Sequence, residues 1–257
     1  MSSQENETKA PTWKSTIESI VLPKQYENHT KWDEIIKKYK GFRLYALGES
    51  PEAFASTLAV EKAFAREVWE GRLSSPRATH ILVIDCPNAA DVTTDSGKVE
   101  ALLDNKWIAQ TVLIEMDNHE VAKLAAEKSP WDRSSQDGVP PDGVPPVSHQ
   151  TEEEHAVFVL NGVYVAPGHR QRGTGAKVLA AAIDEGIRGA RSRGLSGIQF
   201  QVRVDGDNVA AVKLYERAGF ARGETERLVM GEKESNGVKI PPRIARVLVM
   251  RLHVFLN

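Results

Sequence analysis

A short basic segment in the C-terminal half combines glycines with cationic side chains. From Gly168 to Lys177 the chain carries two arginines, a histidine and a lysine but no acidic residue. The segment follows an apolar run that ends at Val165 and precedes a stretch with helical spacing. Glycines let a backbone approach a ligand closely, and the unpaired first N–H groups of a helix attract anions. The sequence therefore predicts an anion-binding loop between a strand and a helix.

Known phosphate-loop patterns narrow the identity of the anion. A Walker loop requires Gly-x-x-x-x-Gly-Lys-Ser/Thr, but Gly173 is followed by Thr174 instead of lysine. A dinucleotide fingerprint requires a glycine three residues after Gly175, where the chain has Val178. Both patterns are therefore excluded. The residues alone leave one alternative open. In it, the segment is only a glycine-rich start of a helix, and its arginines are solvated and bind no ligand.

The overall composition is that of an ordinary globular protein. Among 257 residues, 41% are hydrophobic and 26% are charged, and the net charge is −2. This balance argues against a general nucleic-acid binder, and no stretch approaches the ~18 apolar residues of a membrane span. The single cysteine, Cys86, excludes an intrachain disulfide and is expected to pack at a strand end. The histidines and the cysteine lack metal-ligand spacing, so we expect no metal.

The N-terminal half gives weak signals for secondary structure. Residues 1–39 are predicted to form an extension that is disordered over 1–12 and weakly helical from residue 13 onward. Because this start is polar and lacks the apolar core of a signal peptide, we expect a reducing cytoplasmic or nuclear compartment. The further elements predicted are a strand at 41–47, a helical segment at 50–73 with a break near 56–57, strands at 80–84 and 107–115, and a short helix at 119–127.

Residues 129–152 differ in composition from the rest of the chain. Asp137 to Pro141 reads Asp-Gly-Val-Pro-Pro, and the same five residues follow at once from Asp142 to Pro146. A segment so rich in proline and glycine forms neither a stable helix nor a paired strand, so we predict an exposed flexible insert. A proline-rich docking site is the alternative.

The C-terminal half has strong periodic signals. An apolar run at 156–165 predicts a strand covered on both faces. The following elements are predicted to be a helix at 173–194, a strand at 198–204, a helix at 207–218, and strands at 220–230 and 243–256 that form a closing hairpin. This order predicts an α/β fold with a mixed sheet, in which one parallel crossover joins the strands at 156–165 and 198–204.

Two motifs in this half resemble one known family. Arg170-x-x-Gly173-x-Gly175, placed after Tyr164-Val165-x-Pro167, resembles the acetyl-CoA motif of the GNAT superfamily of N-acetyltransferases. The segment from Asn208 to Phe220 reads Asn-x-x-Ala-x-x-Leu-Tyr-x-x-x-Gly-Phe and resembles that family's next strand–helix signature. The likeness is sharpest over residues 156–225. It implies a GNAT-like domain over residues 40–257, with a twisted mixed sheet, helices on both faces and a splayed parallel strand pair that binds acetyl-CoA.

The resemblance also implies roles for individual residues. The backbone of Val163, Tyr164 and Val165 would bind the pantetheine arm, and Asn208 would reach the pantetheine or the acyl group. The loop residues expected to bind the pyrophosphate region are Arg170, Gln171, Arg172, Gly173, Thr174, Gly175 and Ala176. Phe54 and Glu154 are expected on the acceptor side. The partner would be an amine acceptor, without nucleic acid or membrane, and the oligomeric state, a homodimer included, is left open.

The chemistry of acetyl transfer to an amine requires two proton movements. Asn208 and Tyr215 are seven residues apart on one predicted helix, so both side chains share a face. With the family context, Tyr215 is expected to donate a hydrogen bond to the departing thiolate, whereas packing beside Phe220 is the alternative. Candidate bases for the acceptor ammonium are Glu153, Glu154 and His155, for which a solvated edge is the alternative. A longer acyl group, a hydroxyl acceptor or an acyl-CoA sensor without turnover remain open at this point.

Overall fold

Strands from both halves of the chain form one large sheet. The computed structural model describes residues 16–86, 92–117, 155–235 and 238–256. Within these residues the strands are β1 (Thr16–Val21), β2 (Ala78–Cys86), β3 (Lys106–Met116), β4 (His155–Val165), β5 (Gly197–Asp205), β6 (Ala221–Met230), β7 (Lys233–Ser235), β8 (Val238–Ile240) and β9 (Arg243–Phe255). Seven of them form one sheet in the order β1-β2-β3-β4-β5-β9-β6, while β7 and β8 form a separate hairpin.

The pairing within the sheet is antiparallel except at its centre. There β4 and β5 run parallel, joined by a crossover through a long helix, as the sequence predicts. The strands β6 and β9 pair as the expected hairpin. The described helices are α1 (His29–Glu49), α2 (Leu58–Lys62), α3 (Arg66–Ser74), α4 (Asp95–Asp104), α5 (Thr174–Ser192) and α6 (Val209–Arg217).

Helices cover both faces of the sheet, and β2 shows this division residue by residue. Ile81 and Val83 belong to the cluster that contains the apolar stripe of α5. Leu82 and Ile84, which point the opposite way on a strand, belong to the cluster of α1, α3 and α4. A strand buried on both faces reads as a continuous apolar run, which explains why β2 and β4 could be predicted from the sequence.

The region before residue 50 differs from the sequence prediction. The predicted strand at 41–47 is wrong, because these residues form the second half of α1. The buried residues Ile35, Tyr39 and Ala46 recur at helical spacing, and the side chain of Asn28 caps the helix by accepting from Lys31 N–H. The predicted boundary between residues 39 and 40 therefore falls inside a helix. Moreover, Thr16–Val21, predicted as weakly helical, is a strand that pairs with β2.

The remaining predictions for the N-terminal half have mixed outcomes. The break near Ser56 is confirmed, since a 3-10 turn at Pro51–Ala53 is separated from α2 and α3. The connection after β2 contains α4, which Thr94 caps and which the sequence analysis did not predict. The helix predicted at 119–127 and the insert at 129–152 lie outside the described residues. No helix in the described ranges is both long and apolar enough to cross a membrane.

Candidate functional site

A cleft opens where the two central parallel strands separate. Pairing between β4 and β5 begins at His155 and Gly197 and ends at Val159 and Gln201. Beyond Val159, the edge of β4 that faces β5 has no strand partner among the described residues. Backbone N–H and C=O groups at an open edge bind an extended chain by strand-like hydrogen bonds. The predicted splay of this strand pair is therefore present.

A bulge shapes β4 at the same level. The register with β3 shifts, because Val112 faces Asn161 whereas Gln110 faces Tyr164. Gly162 has a positive φ of 61°, which a glycine adopts without steric cost. The extra residue leaves Gly162 and Val163 without ladder partners on β3. Both residues line the cleft, and Val163 is one of the residues predicted to contact the pantetheine arm.

The loop after β4 presents unpaired N–H groups at the start of α5. A 3-10 turn at Pro167–His169 leads to Gly173, which has a φ of 82° and precedes the helix without any side-chain cap. The first backbone bond of the helix runs from Lys177 N–H to Gly173 O, at 3.0 Å. The N–H groups of the first turn therefore have no acceptor in the helix and, together with the helix dipole, form an anion site. Gln171 is the one non-glycine residue with positive φ among those described.

Arg170 faces the end of α1, which the sequence did not indicate. Its guanidinium lies 2.6 Å from the Glu49 carboxylate, and it also donates to Ser50 Oγ and to the carbonyl of Val165, each at 2.9 Å. Tyr164 donates to the same carboxylate of Glu49 at 3.1 Å. Burial opposes ionisation of Glu49, but hydrogen bonds from Ser50, Arg170 and Tyr164 outweigh it and lower its pKa. Arg170 thereby holds the loop against α1.

The other loop residues have different surroundings. Lys177 donates to the carbonyl of Ile17 in β1, whereas Arg172 is exposed. Thr174 is buried. A Cβ atom at Gly175 would lie 3.2 Å from Leu214 of α6, so this glycine permits close packing of α5 and α6. A larger residue at Gly175 would thus disturb α6 as well as the anion site.

The helix α6 brings Asn208 and Tyr215 to one cavity. Asn208 caps α6, since its side-chain oxygen accepts from Ala211 N–H at 3.1 Å, which leaves its amide nitrogen for other contacts. Tyr215 is only 6% exposed and packs edge-on against Phe220, with ring centres 5.7 Å apart. Burial raises the pKa of the Tyr215 hydroxyl. The tyrosine thus stays protonated and can act as a hydrogen-bond donor.

We call the cavity that contains both residues the central cavity. It has a volume of about 210 Å³ and lies between the splayed strands, α1, α3 and the turn at Pro51–Ala53. Phe54 lines it and packs against Tyr164, with ring centres 6.1 Å apart. The buried ammonium of Lys233 donates to the carbonyls of Pro51 and Phe54, and burial lowers its pKa to about 8. Lys233 thus holds the turn beside the central cavity.

Several polar residues of the central cavity were not found from the sequence. Their side chains are those of Arg43, Glu61, Arg72, Gln110, Asn161 and Glu226. They come from α1, α2, α3, β3, β4 and β6, so no short motif contains them. The carboxylate of Glu61 pairs with Arg43 at 2.6 Å and Arg72 at 2.9 Å. Burial opposes its ionisation, but both arginines outweigh that effect and lower its pKa.

One of the three candidate bases lies away from the opening of the cleft. His155 stands at the paired end of β4, away from the opening, and its ring packs beside Gly197. The predicted residues Glu153 and Glu154 lie outside the described residues. Within the described part of the chain there is no group of three or more potential metal ligands.

A second cavity adjoins the loop but holds none of the predicted catalytic residues. It is more open, has a volume of about 510 Å³, and is lined among others by Lys38, Trp107 and His169. Of these two cavities in the described part of the chain, the central cavity is the candidate active site, because Asn208, Tyr215 and the β4 bulge line it.

Comparisons with known proteins agree with this arrangement. Residues 138–220 match the family model for the acetyltransferase (GNAT) family, which confirms the resemblance found in the motifs. A search of curated proteins by sequence finds no significant match.

Two solved structures with TM-scores above 0.5 have the same fold, and a third is reported beside them. An acetyltransferase of the GNAT family from Streptococcus pneumoniae is 13% identical over 93% of this chain and 99% of its own, with a TM-score of 0.51. A protein assigned as an acetyltransferase from Acinetobacter baylyi is 9% identical over 93% and 94%, also with a TM-score of 0.51. Arabidopsis thaliana NAA60 in complex with acetyl-CoA is 12% identical over 93% and 99%, with a TM-score of 0.49. The chain has the GNAT fold, a mixed sheet with one parallel pair and helices on both faces.

Proposed function

We propose that this chain, which carries a GNAT acetyltransferase domain signature over residues 138–220, is an acetyl-CoA-dependent N-acetyltransferase. The observation that carries the proposal is one continuous path. The uncapped start of α5 packs at Gly175 beside Val165 at the end of β4, and the bulged edge of β4 and Tyr215 both line the central cavity. Acetyl-CoA has an anionic head, an extended arm with amide groups and a reactive thioester, in this order. These three features of the protein would bind the three parts in the same order.

The binding of acetyl-CoA would rest mainly on backbone groups. The first-turn N–H groups of α5 suit the pyrophosphate, since they point outward from a positive helix end. The arm would add to the open edge of β4 near Val163 and lead the thioester toward Tyr215. Arg170 serves this arrangement by holding the loop to Glu49.

The reaction would be direct transfer. The nitrogen of the amine forms a bond to the thioester carbonyl carbon, the carbon–sulfur bond breaks, and CoA leaves with its sulfur stabilised by the hydroxyl of Tyr215. Because burial raises the pKa of that hydroxyl, Tyr215 acts as a hydrogen-bond donor whose proton moves late. The amine loses one proton, and the products are an acetamide and the CoA thiol.

The acceptor must be neutral before it attacks. For a lysine-like amine with a pKa of ~10.4, forming the neutral amine at pH 7 costs about 4–5 kcal/mol. For an α-amino group with a pKa of ~8 the cost is only about 1 kcal/mol. A strong base is therefore less necessary for α-amino acceptors.

An acceptor screen tests this function. The protein is incubated with acetyl-CoA and a library of amines and alcohols, and free CoA thiol and acetylated product are measured together. We expect CoA release in step with an acetamide product. If CoA is released and the only acetylated products are esters, the acceptor is a hydroxyl and not an amine. If acetyl-CoA binds but no acetyl group is transferred, the protein is an acyl-CoA sensor. The absence of both binding and transfer would refute the assignment.

A further inference from the structure

One wall of the central cavity is the irregular connection between α1 and α2. We call residues 51–56 of this connection the turn wall, and residues 52–56 line the cavity directly. The 3-10 turn at its start is closed by bonds from Ala53 N–H to Ser50 O at 3.0 Å and from Phe54 N–H to Pro51 O at 3.4 Å. A short 3-10 turn has poorer hydrogen-bond geometry than an α-helix. The position of the turn wall therefore depends on contacts from elsewhere in the chain.

The strands β6 and β9 supply another wall of the same cavity. Met230, at the end of β6, and Ala245 and Val247 of β9 line it. After Met230 the chain continues into the β7–β8 hairpin, in which Lys233 is paired with Ile240. Lys233 thus follows the last cavity-lining residue of β6 by only three positions, and its place is fixed by a strand pair.

Lys233 joins these two walls. Its ammonium donates to the carbonyl of Pro51 at 2.7 Å and to the carbonyl of Phe54, so it bonds both ends of the turn. The residue is only 6% exposed, and lysine is rarely buried to this degree without partners. The bond to Pro51 spans 182 positions of the sequence, so no local pattern indicates it.

The charge of Lys233 is costly to bury. Burial lowers the pKa of Lys233 to about 8, an effect to which Arg243 adds and which the carboxylates of Glu52 and Asp205 partly offset. Replacing buried ionic groups by apolar side chains of similar volume is often neutral or stabilising, so stability alone does not explain a lysine here. Charge-assisted hydrogen bonds are short and strong. What the ammonium provides is therefore a fixed distance between the hairpin and the turn wall.

The position of Phe54 follows from that of the turn wall. Its ring lines the central cavity and packs against Tyr164, and the guanidinium carbon of Arg43 lies 4.6 Å from its ring centre. Because the carbonyl of Phe54 itself accepts from Lys233, a displacement of the hairpin would be transmitted to this ring. Lys233 itself is not among the residues that line the cavity, so it acts on the cavity through the turn wall.

We propose that Lys233 is a positioning residue for the acceptor, because it fixes the width of the central cavity between the turn wall and the ends of β6 and β9. This inference rests on the proposed acetyl transfer and concerns how the same site selects its acceptor. The cavity volume of about 210 Å³ lies below the roughly 300–1,000 Å³ of drug-sized sites. A wall held at a fixed distance therefore selects acceptor amines by size and favours small ones.

The test measures how acceptor size affects the unaltered protein and a variant. Lys233→Met keeps most of the side-chain length and removes the N–H donors. Kinetics with acetyl-CoA and ethylamine, butylamine, benzylamine or tryptamine give kcat and KM for each amine. We expect kcat/KM of the unaltered protein to fall along this series. In Lys233→Met, KM for ethylamine should rise about fivefold to tenfold, and the difference in kcat/KM between ethylamine and tryptamine should shrink at least about fivefold.

A purely structural role of Lys233 would give a different pattern. A loss of stability lowers the active fraction, so kcat would fall by the same factor for every amine, while KM and the size dependence would stay. We expect Lys233→Met instead to keep kcat and the calorimetric affinity for acetyl-CoA within about threefold. Lys239→Met is the matched control and should change neither KM nor the size dependence, because Lys239 is an exposed lysine of the same hairpin that pairs with Glu232.

The outcomes separate this inference from the proposed function. Equal KM and equal size dependence in Lys233→Met and the unaltered protein overturn the inference alone, and so does an unaltered protein that acetylates amines without regard to size. If Lys233→Met does not fold, Phe54→Leu decides, since it shortens the wall that Lys233 holds. It should reduce the size dependence likewise, and an unchanged size dependence overturns the inference. Failure of the unaltered protein both to bind acetyl-CoA and to transfer the acetyl group overturns the proposed function itself.

Discussion

The hydroxyl of Tyr215 is the side-chain group on which the account of catalysis depends. Replacing Tyr215 by phenylalanine removes this hydroxyl and little volume, and the contact with Phe220 is retained. We expect turnover to fall by about 10²–10⁴, while acetyl-CoA affinity stays within a few fold, because the interaction is made mainly in the transition state. Single-turnover rates at saturating acetyl-CoA measure the chemical step directly.

A remote tyrosine provides the control for this variant. Tyr26→Phe removes a hydroxyl that bonds to Ser96, far along the chain from the cleft, and should leave the rate unchanged. If the Tyr215→Phe rate lies within about threefold of the unaltered protein, Tyr215 serves only for packing and another group must stabilise the leaving sulfur.

His80 gives the protein a residue-level sensitivity to acid. The side chain is fully buried, and its Nε2 lies 2.9 Å from the carbonyl of Arg72. Burial lowers its pKa from 6.5 to about 4. Between these values the unfolded chain binds a proton that the folded protein does not, so stability decreases as pH falls from 6.5 to 4. The full effect is about 3 kcal/mol.

Replacing His80 tests this linkage. In His80→Gln, the loss of unfolding free energy between pH 7 and pH 4.5 should be smaller than in the unaltered protein by about 2–3 kcal/mol. Urea unfolding at both pH values gives this difference, and His253→Gln at an exposed position is the control. The same acid dependence in His80→Gln would show that other groups cause it.

The loop after β4 depends on its connection to the end of α1. Arg170 pairs with Glu49, so we expect Arg170→Gln and Glu49→Gln each to weaken acetyl-CoA binding about threefold to tenfold by loosening the loop. The double variant should be little worse than either single one, because both remove the same contact. Calorimetry of the four proteins gives the coupling.

This set of variants separates two roles of Arg170. If the guanidinium bound a phosphate of acetyl-CoA directly, Arg170→Gln would weaken binding and reduce its salt dependence, whereas Glu49→Gln would not weaken it. Such a result would contradict the proposal that Arg170 holds the loop to α1 through Glu49.

An element could be predicted from the sequence when the residues that specify it lie within the element itself. The segments β4, α5, β5 and α6 were predicted because apolar runs, helical stripes and caps lie within each of them. The segment at 41–47 alternates apolar and polar residues like a strand, yet it completes α1 because the buried stripe continues from Ile35 to Leu47. Strand β1 is short, and its identity depends on pairing with β2, which no local pattern contains.

The residues of the candidate site likewise fall into those that could be predicted from the sequence and those that could not. The loop and α6 carry motifs, so Gly173, Asn208 and Tyr215 were found from spacing and resemblance. The polar wall of the central cavity could not be found, because Arg43, Gln110 and Glu226 are brought together only by the packing of α1, β3 and β6. Of the three predicted bases, His155 is not at the cavity, since it stands at the paired end of β4 and the strands open at the other end.

The molecule as a whole is nearly neutral but concentrates positive charge at one end of the cleft. The net charge is −2, whereas the segment from Gly168 to Lys177 has no acidic residue. Binding of an anionic cofactor at an exposed helix start should therefore depend on salt, because ions screen exposed charges beyond about 8 Å at physiological strength. The contacts of the pantetheine arm in the buried cleft should depend much less on salt.

The binding of acetyl-CoA itself tests the central claim most directly. Isothermal titration calorimetry of the full chain with acetyl-CoA at low and high salt requires no knowledge of the acceptor. We expect one molecule bound per chain, with an affinity that falls at higher salt as the contacts of the phosphates with the start of α5 are screened. Absence of acetyl-CoA binding at either salt concentration would contradict the account.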